Sequence, residues 1–138
     1  MKKLIFLLFV ALVIAGCSKD EKVINLTSPE AFTFTLDNGY ELNASVIAKD
    51  FTNAEANGIY SIHLIYSVNL QKPNGEVFVD FKKGKVNQPT PEVLKDIRLD
   101  IQAEMDSTYA KGTYKLIFNV TDKYSDKTAS TEKEFELD

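Results

Sequence analysis

From Ala31 onward the chain alternates between apolar and polar positions. Phe32, Phe34 and Leu36 are separated by Thr33 and Thr35, and Asp37-Asn38-Gly39 then supplies a hairpin-type turn. Tyr40 to Ala48 resumes the pattern, with Tyr40, Leu42, Ala44 and Val46 on one face and Glu41, Asn43 and Ser45 on the other. The longest run, Ile59 to Gln71, places Tyr60, Ile62, Leu64, Tyr66, Val68 and Leu70 opposite Ser61, His63, Ser67 and Asn69. Pro73-Asn74-Gly75 turns the chain into Glu76–Phe81, where Val77, Val79 and Phe81 align. In Lys95–Asp106 the residues Ile97, Leu99, Ile101, Ala103 and Met105 alternate with polar ones. A helix would scatter these around its circumference, whereas a strand separates them onto two faces. Thr113–Thr121 directs Tyr114, Leu116, Phe118 and Val120 inward, Asp122–Lys127 is a polar turn, and Thr128–Leu137 closes with Phe135 and Leu137. Asp50–Gly58 and Lys82–Pro91 read as loops. About seven strands without a convincing helix predict an all-β fold, a single antiparallel β-sandwich.

The first thirty residues follow different rules. Met1-Lys2-Lys3 is a short positive start, and Leu4–Ala15 is an unbroken apolar run. That run is shorter than the roughly twenty residues a membrane span needs, and it has the length of the hydrophobic region of an export signal. Its end, Ile14-Ala15-Gly16-Cys17, resembles the lipobox of bacterial lipoproteins. The resemblance implies cleavage between Gly16 and Cys17 and a diacylglyceryl group on the Cys17 thiol, with the new N-terminus usually acylated as well. Several acyl chains, at about 0.8 kcal/mol per buried CH₂, hold a protein on a membrane where one chain gives marginal binding. Residues 1–16 are therefore expected to be a signal peptide, residues 17–30 a lipidated tether, and residues 31–138 the sandwich. Lys19-Asp20-Glu21 is similar to the lysine-plus-acidics signal that sends Bacteroidetes lipoproteins to the outer face of the outer membrane. The expected location is accordingly the outer membrane, lipid-anchored and open to surface exposure.

Charge narrows the partners. The chain carries 16 basic and 20 acidic residues. Lys2 and Lys3 lie in the segment to be removed, which leaves 14 against 20, a net of −6, and no basic cluster. Such a surface does not suit nucleic acid. Cys17 is the single cysteine, so no intrachain disulfide is available.

Gly112-Thr113-Tyr114-Lys115-Leu116 through Asn119-Val120-Thr121-Asp122 is similar to the closing hairpin of bacterial immunoglobulin-like and fibronectin type III-like modules, with Tyr114 placed as in a tyrosine corner. The resemblance implies an immunoglobulin-like sandwich, but not the antibody subclass, whose paired cysteines and core tryptophan are missing. A small barrel or a transthyretin-like sandwich also satisfies the strand count.

Catalytic and cofactor motifs do not emerge. His63, the single histidine, lies on the polar face of its strand and reads as a surface residue. Asp96, Asp100, Glu104 and Asp106 have the spacing of one solvated strand face rather than a calcium loop. No Gly-x-Ser-x-Gly, phosphate loop or dinucleotide fingerprint occurs. No catalytic residue, metal site or cofactor is therefore expected. Asp106-Ser107-Thr108 resembles the short O-glycosylation motif of Bacteroidetes exported proteins, which makes Ser107 a candidate acceptor. Tyr109 and Tyr124 fall in loops at opposite ends of one strand. The expected function is a non-catalytic interaction module at the outer membrane or cell surface, with a protein or glycan partner; the alternative is a periplasm-facing accessory subunit of an envelope complex.

Overall fold

A computed structural model describes residues 22–138. Among the described residues there are eight strands: β1 (Asn25–Leu36), β2 (Gly39–Lys49), β3 (Ala54–Ala56), β4 (Ile59–Gln71), β5 (Val77–Thr90), β6 (Asp96–Asp106), β7 (Gly112–Asp122) and β8 (Lys127–Leu137). One sheet runs β1-β2-β6. The other is built around β4, which pairs with β5 along one edge and with β3 and β7 along the other, β8 lying outside β7. All pairings are antiparallel. The two inner faces pack Leu42, Val46, Leu99, Ile101 and Met105 against Ile62, Leu64, Val68, Leu70, Tyr114, Leu116, Phe118 and Leu137. Burial of side chains of this size contributes about 1.5–3 kcal/mol each, which is why the period-two pattern holds each strand in register. The expected β-sandwich is the observed one, with eight strands instead of about seven.

The additional strand comes from the segment read as the loop Asp50–Gly58. Asn57 and Gly58 both have positive φ (53° and 77°) and form a tight turn that folds β3 back on β4. An Asn-Gly pair favours this geometry because both residues tolerate left-handed backbone. Lys82–Pro91, also read as a loop, is strand as far as Thr90, where it forms the greater part of β5 and pairs with β4 from Val68 back to Tyr60. Its lysines and Pro89 mislead because they are features of an edge strand, which must discourage further pairing and can omit an N–H. The alignment expected of Val77, Val79 and Phe81 is interrupted at Asp80 (φ 54°): Val77 and Val79 are exposed, while Phe81 packs against the core.

The first strand also starts earlier than expected. Asn25–Glu30, assigned to the tether, belongs to β1, and Ile24 and Leu26 are buried. A bulge between Thr27 and Glu30, with Ser28 at φ 52°, inserts one residue into the ladder. One extra residue reverses the parity of the strand. Ile24 and Leu26 face inward before it; Phe32, Phe34 and Leu36 face outward after it, at 48%, 54% and 42% exposure.

The strand register defines two ends. Asn25 pairs with Lys49, which pairs with Asp96, so the N-terminal entry lies beside the 50–53 and 91–95 loops. Two side-chain ties hold that end. The Asn53 amide donates to the Leu94 carbonyl at 3.0 Å and accepts the Leu94 N–H at 2.9 Å. Asp122, 1% exposed, accepts the Thr52 N–H at 2.7 Å and the Tyr124 N–H at 3.1 Å. The opposite end carries the 37–38, 72–76 and 107–111 turns and the C-terminal residue, whose carbonyl accepts the Tyr40 hydroxyl at 2.8 Å.

Candidate functional site

At the end away from Asn25, the β4–β5 turn and the β6–β7 loop enclose a cleft of about 480 Å³, lined chiefly by Lys72, Pro73, Phe78, Asp106, Thr108 and Tyr109. Tyr114 forms part of its lining as well. This volume is within the range of small-ligand sites, roughly 300–1,000 Å³.

Local chemistry fixes both walls. The β4–β5 turn is closed by the Gly75 N–H donating to the Lys72 carbonyl at 2.9 Å and the Lys72 N–H donating to the Glu76 carbonyl at 2.8 Å. Asn74 adds an Asx contact, its Oδ1 accepting the Glu76 N–H at 3.0 Å. In the β6–β7 loop the Asp106 carboxylate accepts the Thr108 N–H at 2.9 Å and the Thr108 hydroxyl, and the Tyr109 N–H donates to the Asp106 carbonyl at 3.2 Å. These bonds hold the Asp106 carboxyl below its ordinary value, with the Thr108 hydroxyl the largest contributor.

Tyr114 secures the floor. Its hydroxyl donates to the Ala110 carbonyl at 2.5 Å, four residues back, while its ring is buried and stacks on Phe135 at 5.4 Å. This is the bond that a tyrosine corner makes. Gly112, at φ 140°, lies beneath Pro73; a β-carbon there would come within 2.9 Å of the proline ring, so the two walls can approach only over glycine.

Tyr109 stands between the walls. It packs on Tyr114 with ring centroids 6.3 Å apart, and the Lys72 ammonium lies 5.9 Å from its ring centre. Burial raises the Tyr109 phenol above its ordinary value, and the charge of Asp106 adds to the rise. Phe78, 48% exposed, supplies an apolar wall. The cleft thus offers an aromatic surface, an ammonium and a carboxylate together. That set suits recognition by stacking and hydrogen bonding.

The other residues singled out in the sequence are dispersed. Gly16, Cys17, Lys19, Asp20 and Glu21 lie outside the described residues. Ser107 is exposed in the β6–β7 loop, between Asp106 and Thr108 at the margin of the cleft. His63 is half-buried on the outer face of β4, edge-on to Tyr124 with centroids 6.1 Å apart. Tyr124 shares a hydrogen bond with Ser61 at 2.8 Å, so it belongs to a separate surface from Tyr109, at the other end of β7. Asp96, Asp100, Glu104 and Asp106 form a column along β6, and among the described residues no group of three or more metal-ligating side chains converges. Phe78 and Lys72 were not singled out by sequence reasoning. Their only signal was position next to Pro73-Asn74-Gly75, because lining a cleft depends on which turns the topology brings together.

The chain matches no protein-family model and no curated protein.

Proposed function

We propose that this chain is a lipid-anchored, non-catalytic interaction module at the outer membrane or cell surface, engaging a protein or glycan through the end of the sandwich opposite its tether. The observation carrying this reading is the polarity of the fold. The N-terminal side enters at Asn25, whereas the cleft of Tyr109, Phe78 and Lys72 opens at the far end of the strands. β1 has 12 residues, so the cleft stands about 35 Å from the point of entry at the usual strand rise. With packing starting at Ile24, at most seven residues, 17–23, separate Cys17 from the packed domain, a chain length of about 25 Å at full extension. A membrane attachment at Cys17 would then hold one end near the lipid and turn the cleft away from it.

Protease accessibility on intact cells, with a lysed-cell control and a periplasmic marker, tests the address. Digestion on intact cells is expected; protection until lysis would replace the surface reading with the periplasmic accessory subunit. Cys17→Ala is expected to leave the domain folded and release it from the membrane fraction. Retention of that variant with membranes would remove the anchor from the proposal.

A further inference from the structure

The outer face of the β1-β2-β6 sheet shares only Asp106 with the cleft and carries an unusual pairing of surfaces. Phe32, Phe34 and Leu36 project from β1, each more than two-fifths exposed, with the two phenyl rings edge to face at 5.6 Å. The bulge at Ser28 is what turns them outward, so a row that the core would accept is held in water. Exposed apolar rows of this kind mark interaction surfaces. The register places a carboxylate column two strands away: Phe34 aligns with Glu41 and Glu104, Phe32 with Asn43 and Gln102, Leu36 with Gly39 and Asp106, and Glu30 with Ser45 and Asp100. That column is about 10 Å from the apolar row, two strand spacings. Across the face, Glu30, Glu41, Asp96, Asp100, Glu104 and Asp106 outnumber Arg98 and Lys49, and Arg98 is already engaged by Asp100 at 2.8 Å. Asn43 donates to Glu41 at 2.9 Å, and hydrogen bonds from Asn43 and Gln102 hold the Glu41 carboxyl below its ordinary value.

We infer that this face docks a polypeptide segment whose apolar side chains are flanked by lysine or arginine. The apolar row receives the segment's apolar side chains, and the carboxylates of Asp100, Glu104 and Glu41 receive its cations. Charge complementarity selects this occupant over others. A second copy laid face to face would set carboxylates against carboxylates or against phenyl rings, and one laid only along β1 would cover less than the roughly 1,000 Å² a stable interface needs. An anionic lipid surface would be repelled. A neutral glycan would gain nothing from the carboxylates, and rings at 88° give sugars no common platform.

The test uses the full chain in zwitterionic lipid nanodiscs, with empty discs as blank. The probes are an eight-residue peptide alternating leucine and lysine, its leucine–glutamate counterpart, and a neutral oligoglucan. The leucine–lysine peptide is expected to bind. Phe34→Ser should weaken it at least tenfold, the double substitution Asp100→Asn, Glu104→Gln about fivefold with a flatter salt dependence, and Val93→Ser not at all. Equal binding of both peptides, indifference to Phe34→Ser, or no binding of the lysine peptide overturns the inference. So does preferential binding of the oligoglucan, or a dimer in sedimentation that Phe34→Ser dissolves.

Discussion

Asp122 provides the sharpest test of how the tether-side end is held together. Its carboxylate is buried and joins two loops far apart in sequence, accepting the Thr52 N–H at 2.7 Å and the Tyr124 N–H at 3.1 Å. Asp122→Ala removes both acceptors. A hydrogen bond to a charged group contributes about 1.5–3 kcal/mol. The Thr52 contact lies near the top of that range because water has limited access there. The Tyr124 amide sits in an exposed turn where water takes over the carboxylate's role, so about 3 kcal/mol for the two together is the working value. At about 4 °C per kcal/mol for a domain of this size, the thermal midpoint should fall by about 12 °C. Asp122→Asn keeps one acceptor and turns an NH₂ group toward the other donor, so it should fall between, near 2 kcal/mol, about one charged bond. Urea unfolding is the assay, read as a lower midpoint with unchanged slope. Hydrogen exchange at the Thr52 amide should accelerate in the same variants. A loss below about 1 kcal/mol for Asp122→Ala would refute the assignment of Asp122 as the tie between these loops, since one buried neutral bond alone is worth that much.

Other consequences concern the cleft. Tyr114→Phe deletes the hydroxyl bond to the Ala110 carbonyl and should cost about 1 kcal/mol in urea unfolding, with faster amide exchange in the 107–111 loop; unchanged stability would show that the corner contributes only through its ring. The Asp106 carboxyl should titrate below 3.8, its ordinary value, in a carbon-detected NMR titration, and Thr108→Ala should raise it part of the way back, the Thr108 N–H bond remaining. A carboxyl lowered in the folded state adds stability above its unfolded value and loses it as pH falls through the folded one, so this contribution is constant near neutrality, starts to fall as pH drops past 3.8 and is gone only below the folded value. An Asp106 titration unmoved by Thr108→Ala would assign the shift to another cause.

The strands that face the core on one side were legible in the sequence, because a buried face enforces a period of two that any reader can count. Leu42, Ala44 and Val46, Leu99 to Met105, and Tyr114 to Val120 all lie where alternation placed them. Turn chemistry located the 37–39 and 73–75 reversals for the same reason: their backbone requirements are local. Alternation says which residues share a face but not which face is inside. Phe32, Phe34 and Leu36 are as periodic as any core strand, yet a one-residue bulge upstream directs them to solvent. The lysines and Pro89 of β5 argue against strand in isolation, and only pairing with β4 at a sheet edge makes them appropriate. Asp122 and Asn53 are unremarkable polar residues until the packing of the two sheets brings their loops together across 70 and 41 residues of chain. Likewise the cleft has no motif, since Lys72, Phe78 and Tyr109 meet through topology. Local periodicity and turn preferences are properties of neighbouring residues and can be read along the chain. Parity after a bulge, the identity of an edge and the lining of a cleft depend on contacts between distant strands, so the tertiary structure alone decided them.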